Sequence, residues 1–275
     1  MWFRRKRIDH DKMSSLREWI ESIAVAVYFV LIVRMVLIQS FRIPTPSMVD
    51  TLKVGDLLFV ERLAYGPRVA YHVGDEELWN IHLPGYSQPQ IGDIVVFRYP
   101  LDGRDFVKRC IALPQDTVMI RSGVVFVNGR ALDEPYVKFS YEPYPPPSWA
   151  DTADSQFWEQ YQLAWENREL MEWLSEFLVN RRFTDPDLPR SNREFFQMLA
   201  DNFGPVIIPE GNYFVMGDNR QNSDDARFWG PLPEKELRGR PLILYFSFST
   251  KDDQEKSIPF WRWIKWNRIG RLVRS

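Results

Sequence analysis

The sequence is poor in the residues that build disulfides and metal centres. Cys110 is the single cysteine among 275 residues, which excludes a disulfide within the chain. The three histidines, His10, His72 and His82, lie apart, and no cysteine or histidine group has the spacing of metal ligands. We therefore expect no metal site.

The sequence also lacks a marked excess of charge of either sign. Lysine and arginine total 35 residues against 37 aspartates and glutamates, which gives a formal net charge of -2 at pH 7. The basic residues are concentrated at the two ends, so the central body offers no basic surface for a phosphate backbone. Nucleic acid is not an expected partner.

Long hydrophobic runs are scarce, and one run alone is long enough to cross a bilayer. It extends from Ile20 to Ile38 and is interrupted by Glu21 and Arg34. A membrane-spanning helix needs about 20 apolar residues. Residues 23–33 are apolar or tyrosine on every side, whereas a buried helix of a soluble protein has a polar face. The run predicts a transmembrane signal anchor at residues 19–41.

The residues before this run set its expected orientation. Residues 1–17 carry six lysines and arginines against two aspartates. The positive-inside rule then places residues 1–18 in the cytoplasm and the chain after Phe41 on the outer face. A cleavable signal peptide is the alternative, but the run is too long for one, and no small-x-small site follows before Pro44. We expect an uncleaved, single-pass anchor.

Beyond the anchor, short runs of β-forming residues alternate with turn residues. Strands at this density predict a mainly β body over residues 42–137 and 205–250. The clearest hairpin turns at Ser122 and Gly123. The predicted strands are Leu57–Glu61, Asp93–Tyr99, Phe106–Ala112, Thr117–Arg121, Val124–Asn128, Asn212–Met216 and Pro241–Ser247.

A segment of different composition separates the two parts of the β body. Residues 136–149 are rich in proline and aromatic residues, which predicts a stiff polyproline-like stretch. Apolar residues then recur at helical spacing over Asp154–Val179, and a second helix is expected from Ser191, where Glu194 completes a capping box. Residues 138–204 are therefore predicted to form a helical insertion, to which we assign no function.

The C-terminal residues 251–275 are basic and aromatic. Phe260 to Arg274 contain five basic residues and three tryptophans, with no acidic residue after Glu255. Such a segment suits the headgroup region of a membrane. The alternative is a segment that packs on the β body and leaves its arginines solvated.

Two residues, Ser47 and Lys108, are candidates for hydrolytic chemistry. Ser47 follows the predicted anchor closely, which places a hydroxyl near the membrane surface. Phe106 shares a strand face with Lys108, and an apolar neighbour favours the neutral amine that can act as base for a serine. Spacing alone is better explained by a solvated Lys108–Arg109 pair and by a turn residue at Ser47.

Four segments resemble, in order, the motifs of type I signal peptidases, the membrane serine proteases that remove signal peptides. Four such motifs in this order behind a signal anchor are a specific signature of that family. The likeness covers residues 19–135 and 205–247 and leaves residues 138–204 outside it. The four segments are IPTPSMVDTLKVGD at 43–56, GDIVVFRYP at 92–100, FVKR at 106–109 and GDNRQNSDDARFWG at 217–230.

The resemblance implies a signal-peptidase-like antiparallel β catalytic body with Ser47 as nucleophile and Lys108 as general base. It implies that the Ser47 amide and the Thr45 hydroxyl stabilise the oxyanion, and it implies no cofactor.

Two further sets of residues take roles from the same resemblance. In one set, Ser223 would orient the lysine, while Asp225 and Arg227 would form a supporting ion pair. The other set would line small pockets for alanine-like substrate side chains, and it comprises Ile43, Met48, Leu52, Phe106 and Val107.

Other nucleophiles fit the sequence less well. A Ser-His-Asp triad would need His72 or His82, which lie between the first two motifs, where a loop at the substrate edge is the simpler interpretation. Cys110 lies two residues after Lys108, and a buried packing cysteine is more common than a reactive one.

The sequence thus predicts an endopeptidase that cleaves signal peptides from translocated preproteins at the outer face of the bacterial cytoplasmic membrane. Its expected partners are those preproteins, the lipid bilayer and the protein translocation channel. Two alternatives stay open: a dedicated processing peptidase for one pilin-like substrate, and a catalytically inactive, membrane-anchored binding protein.

Overall fold

The structure is a computed structural model. It describes residues 10–66, 68–73, 76–100, 102–146, 153–167, 169–170, 197–249 and 263–273. For residues 10–16, 31–36, 68–73 and 76–82 it describes the backbone alone.

Within the described residues the chain is mainly β, as predicted. The helices include α1 (His10–Val36), α2 (Ser155–Glu166) and α3 (Ala226–Trp229), and residues 169–170 and 197–201 are also helical. Short 3-10 turns lie at Pro46–Met48, Glu234–Glu236 and Trp266–Arg268. The strands are β1 (Ile38–Arg42), β2 (Asp56–Glu61), β3 (Arg68–Val73), β4 (Glu76–His82), β5 (Ile94–Arg98), β6 (Asp105–Ala112), β7 (Thr117–Arg121), β8 (Val124–Val127), β9 (Arg130–Ala131), β10 (Val206–Ile207), β11 (Asn212–Met216), β12 (Leu232–Pro233) and β13 (Leu237–Ser247).

Seven strands form the main antiparallel sheet in the order β1-β2-β13-β5-β6-β11-β12. The long strand β13 pairs with β5 through its first residues, where Leu237 is opposite Phe97, and with β2 through its later ones, where Phe246 is opposite Leu57. β13 therefore joins the strand that follows the Ser47 turn to the strand beside Lys108.

A second, four-stranded sheet has the order β10-β7-β8-β9. Its β7–β8 hairpin pairs Arg121 with Val124, which confirms the predicted turn at Ser122 and Gly123. Both turn residues have positive φ, 46° and 76°, the geometry that matches the twist of a two-residue hairpin. Strands β3 and β4 pair only with each other within the described chain.

Hydrophobic cores lie on both faces of the main sheet. Val95 and Phe97 of β5 belong to the larger core, whereas Ile94 and Val96 belong to a smaller one. This alternation follows from the two-residue period of a strand. The smaller core also contains Met48, so the turn that carries Ser47 is packed directly against the sheet.

The N-terminal helix differs in extent from the predicted anchor. α1 ends at Val36, and residues 38–41 belong to β1, where Ile38 is opposite Glu61 and Phe41 opposite Leu58. Among the residues that the structure describes, no helix combines the length and the apolar character needed to cross a membrane.

Helix α2 lies within the predicted insertion but differs in extent from the predicted helix. α2 begins close to the predicted start, with Asp154 as its N-cap, but ends at Glu166 and not at Val179. Asn167 leaves the helical conformation, and its side chain accepts a hydrogen bond from the Leu170 N–H. The remainder of that predicted helix and the start expected at Ser191 lie largely outside the described residues, of which 197–201 are helical.

The aromatic face of α2 packs against the β body. Trp165 is buried against Phe203 and Phe214, and its indole N–H donates to the carbonyl of Ala226 at 2.8 Å. This part of the helix therefore belongs to the hydrophobic core.

The C-terminal segment 263–273 packs on β13, which was the alternative expectation for this tail. Backbone bonds join Lys265 N to Ser247 O, Gly270 N to Leu244 O and Val273 N to Leu242 O. Arg268 is buried, whereas Trp266 remains exposed. Arg268 thus lies in the protein interior and is not a solvated or membrane-facing arginine.

Candidate active site

Ser47 lies in the 3-10 turn between β1 and β2. Thr45 before it is extended, and Pro46 at the start of the turn supplies a backbone that already favours this geometry. The Ser47 carbonyl accepts a hydrogen bond from the Asn219 N–H at 3.0 Å, and Asn219 Nδ2 donates to the carbonyl of Pro46 at 3.3 Å. The last motif therefore holds the serine turn in place.

Lys108 lies on β6, between β5 and β11. Its strand partner is Val95, and its Nζ lies 5.6 Å from the centre of the Phe106 ring. This confirms that Phe106 and Lys108 share one face of the strand. Lys108 is 3% exposed, so its amine is almost completely removed from water.

Burial is the largest influence on Lys108 and lowers the pKa of its amine to about 8. The carboxylates of Asp225 and Asp224 favour the ammonium and oppose this effect, while the cation of Arg227 adds to it. A pKa in this range leaves an appreciable share of neutral amine near neutral pH. The amine can therefore accept a proton.

One cavity of about 270 Å³ brings the two predicted reactive residues together. Ser47 and Lys108 both line it. Four of the five predicted substrate-binding residues line it too, whereas Leu52 does not and is fully buried in the smaller core. The other lining residues are Gln39, Ser40, Phe41, Arg42, Pro44, Thr45 and Asp105, and the four predicted ones are Ile43, Met48, Phe106 and Val107.

The Thr45 hydroxyl is close to the candidate nucleophile. Its Oγ1 lies 3.3 Å from Ser47 Oγ, at the wall of the same cavity. A hydroxyl at this position can donate a hydrogen bond to an oxygen that acquires negative charge beside Ser47.

Asp225 and Arg227 form a buried ion pair at the start of α3. Arg227 Nε and Nη2 donate to the two Asp225 carboxylate oxygens at 2.8 and 2.9 Å. Burial disfavours the charge on Asp225, but Arg227 outweighs it and holds the pKa of the carboxyl below its ordinary value. Asp225 also accepts the N–H of Gly217 at 3.2 Å, which attaches the ion pair to the strand end beside Ser47.

Ser223 is buried beside Gly217 at the centre of this region. A Cβ added to Gly217 would overlap Ser223 Oγ and lie 2.6 Å from the carbonyl oxygen of Ser47. Glycine at this position therefore allows the last motif and the serine turn to approach each other closely.

A second buried network was not predicted from the sequence. Asp218 accepts hydrogen bonds from Arg109 Nε at 2.9 Å, from Arg109 Nη2 at 2.8 Å and from Thr51 Oγ1 at 2.6 Å. The network joins the residue after Lys108 to the loop after Ser47. Asp218 and Asn219 both lie in the last motif. Their position in that motif was the only feature of the sequence that could have indicated a role near the site.

The alternative nucleophiles receive little support. Cys110 is fully buried in the larger core, and burial raises the pKa of its thiol far above the ordinary value. It is a packing residue, as expected. His72 lies on β3 and His82 on β4, and the structure describes only the backbone of these two strands.

Comparison with known proteins identifies the family. The family described as signal peptidase, peptidase S26, matches residues 16–246. The signal peptidase I of Pseudomonas aeruginosa is 30% identical over 94% of this chain and 80% of its own length. That of Aquifex aeolicus is 30% identical over 84% of this chain and 85% of its own length.

A solved structure also matches the chain. It is a signal peptidase I from Enterococcus faecalis, 26% identical, which covers 56% of this chain and 97% of its own, with a TM-score of 0.32. On the family match and the curated relatives, the chain belongs to the signal peptidase family of peptidases, S26.

Proposed function

We propose that this chain is a type I signal peptidase that cuts preproteins with Ser47 as nucleophile and Lys108 as general base. The observation that carries the assignment of these roles is that the side chains of Ser47 and Lys108 line one cavity. The burial of Lys108 there lowers the pKa of its amine to about 8. A serine hydroxyl is a weak nucleophile until a neighbouring base removes its proton.

The proposed reaction needs no group beyond the protein and water. Neutral Lys108 takes the proton of Ser47 as Oγ attacks the scissile carbonyl, and the ammonium then protonates the departing amine. The Ser47 N–H and the Thr45 hydroxyl stabilise the oxyanion. Lys108 then deprotonates a water molecule that attacks the acyl-enzyme carbonyl, and its ammonium returns the proton to Ser47 Oγ as the ester bond breaks and the signal peptide is released.

Ser223, Asp225 and Arg227 support the base in this proposal. Ser223 orients the Lys108 amine, and the Asp225–Arg227 pair fixes the loop that carries Ser223. Asp225 also limits the decrease in the pKa of Lys108, because its charge favours the ammonium.

The cavity favours small substrate side chains. Ile43, Met48, Phe106 and Val107 line it and leave about 270 Å³ for several residues of a peptide and its solvent. Leu52 supports this wall from the core and does not contact the substrate. Residues such as alanine on either side of a single intervening residue fit this space, which is the pattern before a signal-peptide cleavage site.

The proposed location is the cytoplasmic membrane, with the N-terminus inside and the β body outside. Residues 17–30 of α1 are exposed throughout, and several carry large apolar side chains. Such a surface is unfavourable in water and favourable in hydrocarbon. The exposed apolar residues are Trp19, Ile20, Ile23, Val25, Val27, Tyr28, Phe29 and Val30.

The test is cleavage of a secretory preprotein by the detergent-solubilised full chain. We expect cleavage after an Ala-x-Ala segment and a decrease of about 10³-fold or more in Ser47→Ala and in Lys108→Ala. Ser140→Ala and Lys138→Ala, at exposed positions, are the matched controls and should cleave as the parent does.

Each contrary outcome has a definite meaning. Parental cleavage by Ser47→Ala or Lys108→Ala would reject the assigned dyad. Binding of a preprotein without cleavage, together with no labelling of Ser47 by a serine-reactive peptide inhibitor, would indicate the binding protein. Cleavage restricted to one pilin-like substrate in a panel would indicate the dedicated peptidase.

A further inference from the structure

Arg268, in the C-terminal segment, reaches the interior beside the start of β2. Its Nε lies 3.0 Å from Asp56 Oδ1, and its Nη2 pairs with Asp56 Oδ2. Asp56 is fully buried and Arg268 is 6% exposed, so the ion pair is protected from water and salt. The Ser247 hydroxyl donates to the same carboxylate at 2.6 Å.

Asp56 is also the end of the loop that carries Ser47. Its Oδ2 accepts the N–H of Lys53 at 2.8 Å, and its backbone carbonyl accepts the N–H of Ile43 at 2.9 Å. Ile43 precedes the serine turn and lines the cavity. Asp56, whose carboxylate Arg268 neutralises, therefore closes the loop from 43 to 56 at its base.

A third contact extends this connection toward the lysine. Arg268 Nη2 donates to the carbonyl of Thr51 at 3.3 Å, and the Thr51 hydroxyl donates to Asp218 at 2.6 Å. Asp218 pairs with Arg109, the residue after Lys108. One continuous set of hydrogen bonds thus joins the C-terminal segment to the elements that carry both proposed reactive residues.

We propose that Arg268 is a positioning residue for the active site. It fixes the Ser47 loop through Asp56 and Thr51, although it lies outside the cavity. Arginine suits this role because its planar fork contacts both carboxylate oxygens and a carbonyl at once, which a single ammonium does not. The inference rests on the proposed function, since it concerns the orientation of the same serine and lysine.

The test compares kcat and KM for preprotein cleavage in full-length parent, Arg268→Ala, Arg268→Lys and Arg271→Ala. We expect Arg268→Ala to lower kcat by about tenfold or more, with KM within about twofold of the parent, because small displacements of reacting groups reduce rate. Arg268→Lys should be intermediate. Arg271, three residues later and exposed, is the matched control and should keep parental values.

Ser247→Ala separates positioning from stability. It removes a hydrogen bond to Asp56 and leaves the Arg268–Thr51 contact in place. We expect a lower unfolding temperature with kcat within about twofold of the parent. A loss of kcat as large as that in Arg268→Ala would overturn the proposal and indicate a merely structural role.

Two further results would overturn it. One is a folded Arg268→Ala with parental kcat. The other concerns Arg268→Lys and applies if Arg268→Ala does not fold. We expect Arg268→Lys to show kcat reduced by about threefold or more at parental KM. Parental kcat in this variant would contradict the positioning role. The two proposals fail in different ways. An inactive parent, or parental cleavage by Ser47→Ala or Lys108→Ala, would reject the proposed function. The results for Arg268 variants of an active parent concern the positioning role alone.

Discussion

At the scale of single residues, Lys108 shows how this site uses an unfavourable environment. An ammonium in a buried position loses its hydration, and the neighbouring carboxylates restore only part of that loss. The lower pKa of the amine gives the proposed base its neutral form. The same effect reduces the stability of the fold at neutral pH, because the unfolded chain binds a proton that the folded chain binds less tightly.

Lys108→Met should therefore stabilise the protein while abolishing cleavage. The folded pKa of about 8 against the ordinary 10.5 corresponds to about 3 kcal/mol in the free energy of unfolding below pH 8. The advantage of the variant should shrink as pH rises from 8 to 10.5, because the folded parent has lost the proton that its unfolded chain still binds, and it should vanish above pH 10.5, where the amine is neutral in both states. Urea unfolding in detergent at several pH values measures this.

Lys138→Met is the matched control for this stability effect. The Lys138 side chain is 47% exposed, so its replacement should change neither the unfolding free energy by more than about 0.5 kcal/mol nor the cleavage rate. An equal or lower stability of Lys108→Met at pH 7 would show that the buried amine is not destabilising.

Thr45 supplies a second prediction at this scale. Thr45→Val keeps the size of the side chain and removes the hydroxyl 3.3 Å from Ser47 Oγ. We expect kcat to fall by about 10²-fold or more with little change in KM, because the hydrogen bond forms to the oxyanion and not to the ground-state substrate. Thr45→Ser retains the hydroxyl and should keep most of the activity; parental kcat in Thr45→Val would exclude this donor.

At the scale of elements, the site depends on a close approach between the end of β11 and the serine turn. Gly217 follows β11 directly, and the space that its side chain would fill is taken by Ser223 and by the Ser47 carbonyl. The bond from Asn219 N–H to that carbonyl requires the same approach.

Gly217→Ala should therefore separate the two elements and lower kcat by about 10²-fold. Gly129→Ala is the control in the β8–β9 turn. A Cβ there meets nothing within 4 Å, but the φ of 75° is strained for alanine and should cost about 1 kcal/mol of stability. Steady-state kinetics and thermal unfolding of both variants test this prediction. A comparable kcat in the two would show that the close approach of Gly217 to the serine turn is not needed for cleavage.

Helices and turns could be predicted from the sequence where neighbouring residues alone determine the structure. The turn of the β7–β8 hairpin was predicted from Ser122 and Gly123, and the start of α2 from apolar residues at helical spacing. The end of α2 was not predictable, because apolar spacing continues past Asn167 although the helix stops there. Ile38 was assigned to the anchor, yet its pairing with Glu61 places it in the sheet, a tertiary contact that hydropathy does not report.

The candidate site followed a similar division. Ser47, Lys108 and four predicted substrate-binding residues were selected through the motifs, which are short and continuous, and the structure places these six residues around one cavity. Leu52 does not line the cavity, because it packs with Met48 and Leu58 in the smaller core. The Thr51–Asp218–Arg109 network joins three distant segments, and no local pattern in the sequence links them.

At the scale of the whole molecule, two buried ion pairs contribute to stability, one between segments that are distant in the sequence and one between near neighbours. Asp56 pairs with Arg268, and Asp225 with Arg227. Burial disfavours the charge on both carboxyls, but the arginines outweigh it, and the pKa of each carboxyl lies below its ordinary 3.8. Each pair therefore stabilises the fold above pH 3.8 and loses this contribution as pH falls through the lower, folded pKa.

We accordingly expect the unfolding temperature to be steady near neutral pH and to fall below about pH 4. Asp56→Asn should lower it at pH 7 and reduce its further decrease in acid, since one of the titrating groups is gone. Asp133→Asn, at an exposed position, should follow the parent throughout. A parental acid profile in Asp56→Asn would show that this carboxyl does not contribute to the pH dependence.

The central claim is that Lys108, whose pKa burial lowers to about 8, is the base for Ser47. The measurement that tests it most directly is kcat/KM for preprotein cleavage by the full chain as a function of pH. We predict an acid limb with its midpoint near pH 8, below which the rate falls roughly tenfold per pH unit as the amine is protonated. A rate independent of pH from 6 to 10, or a limb near pH 6.5 typical of histidine, would contradict the account.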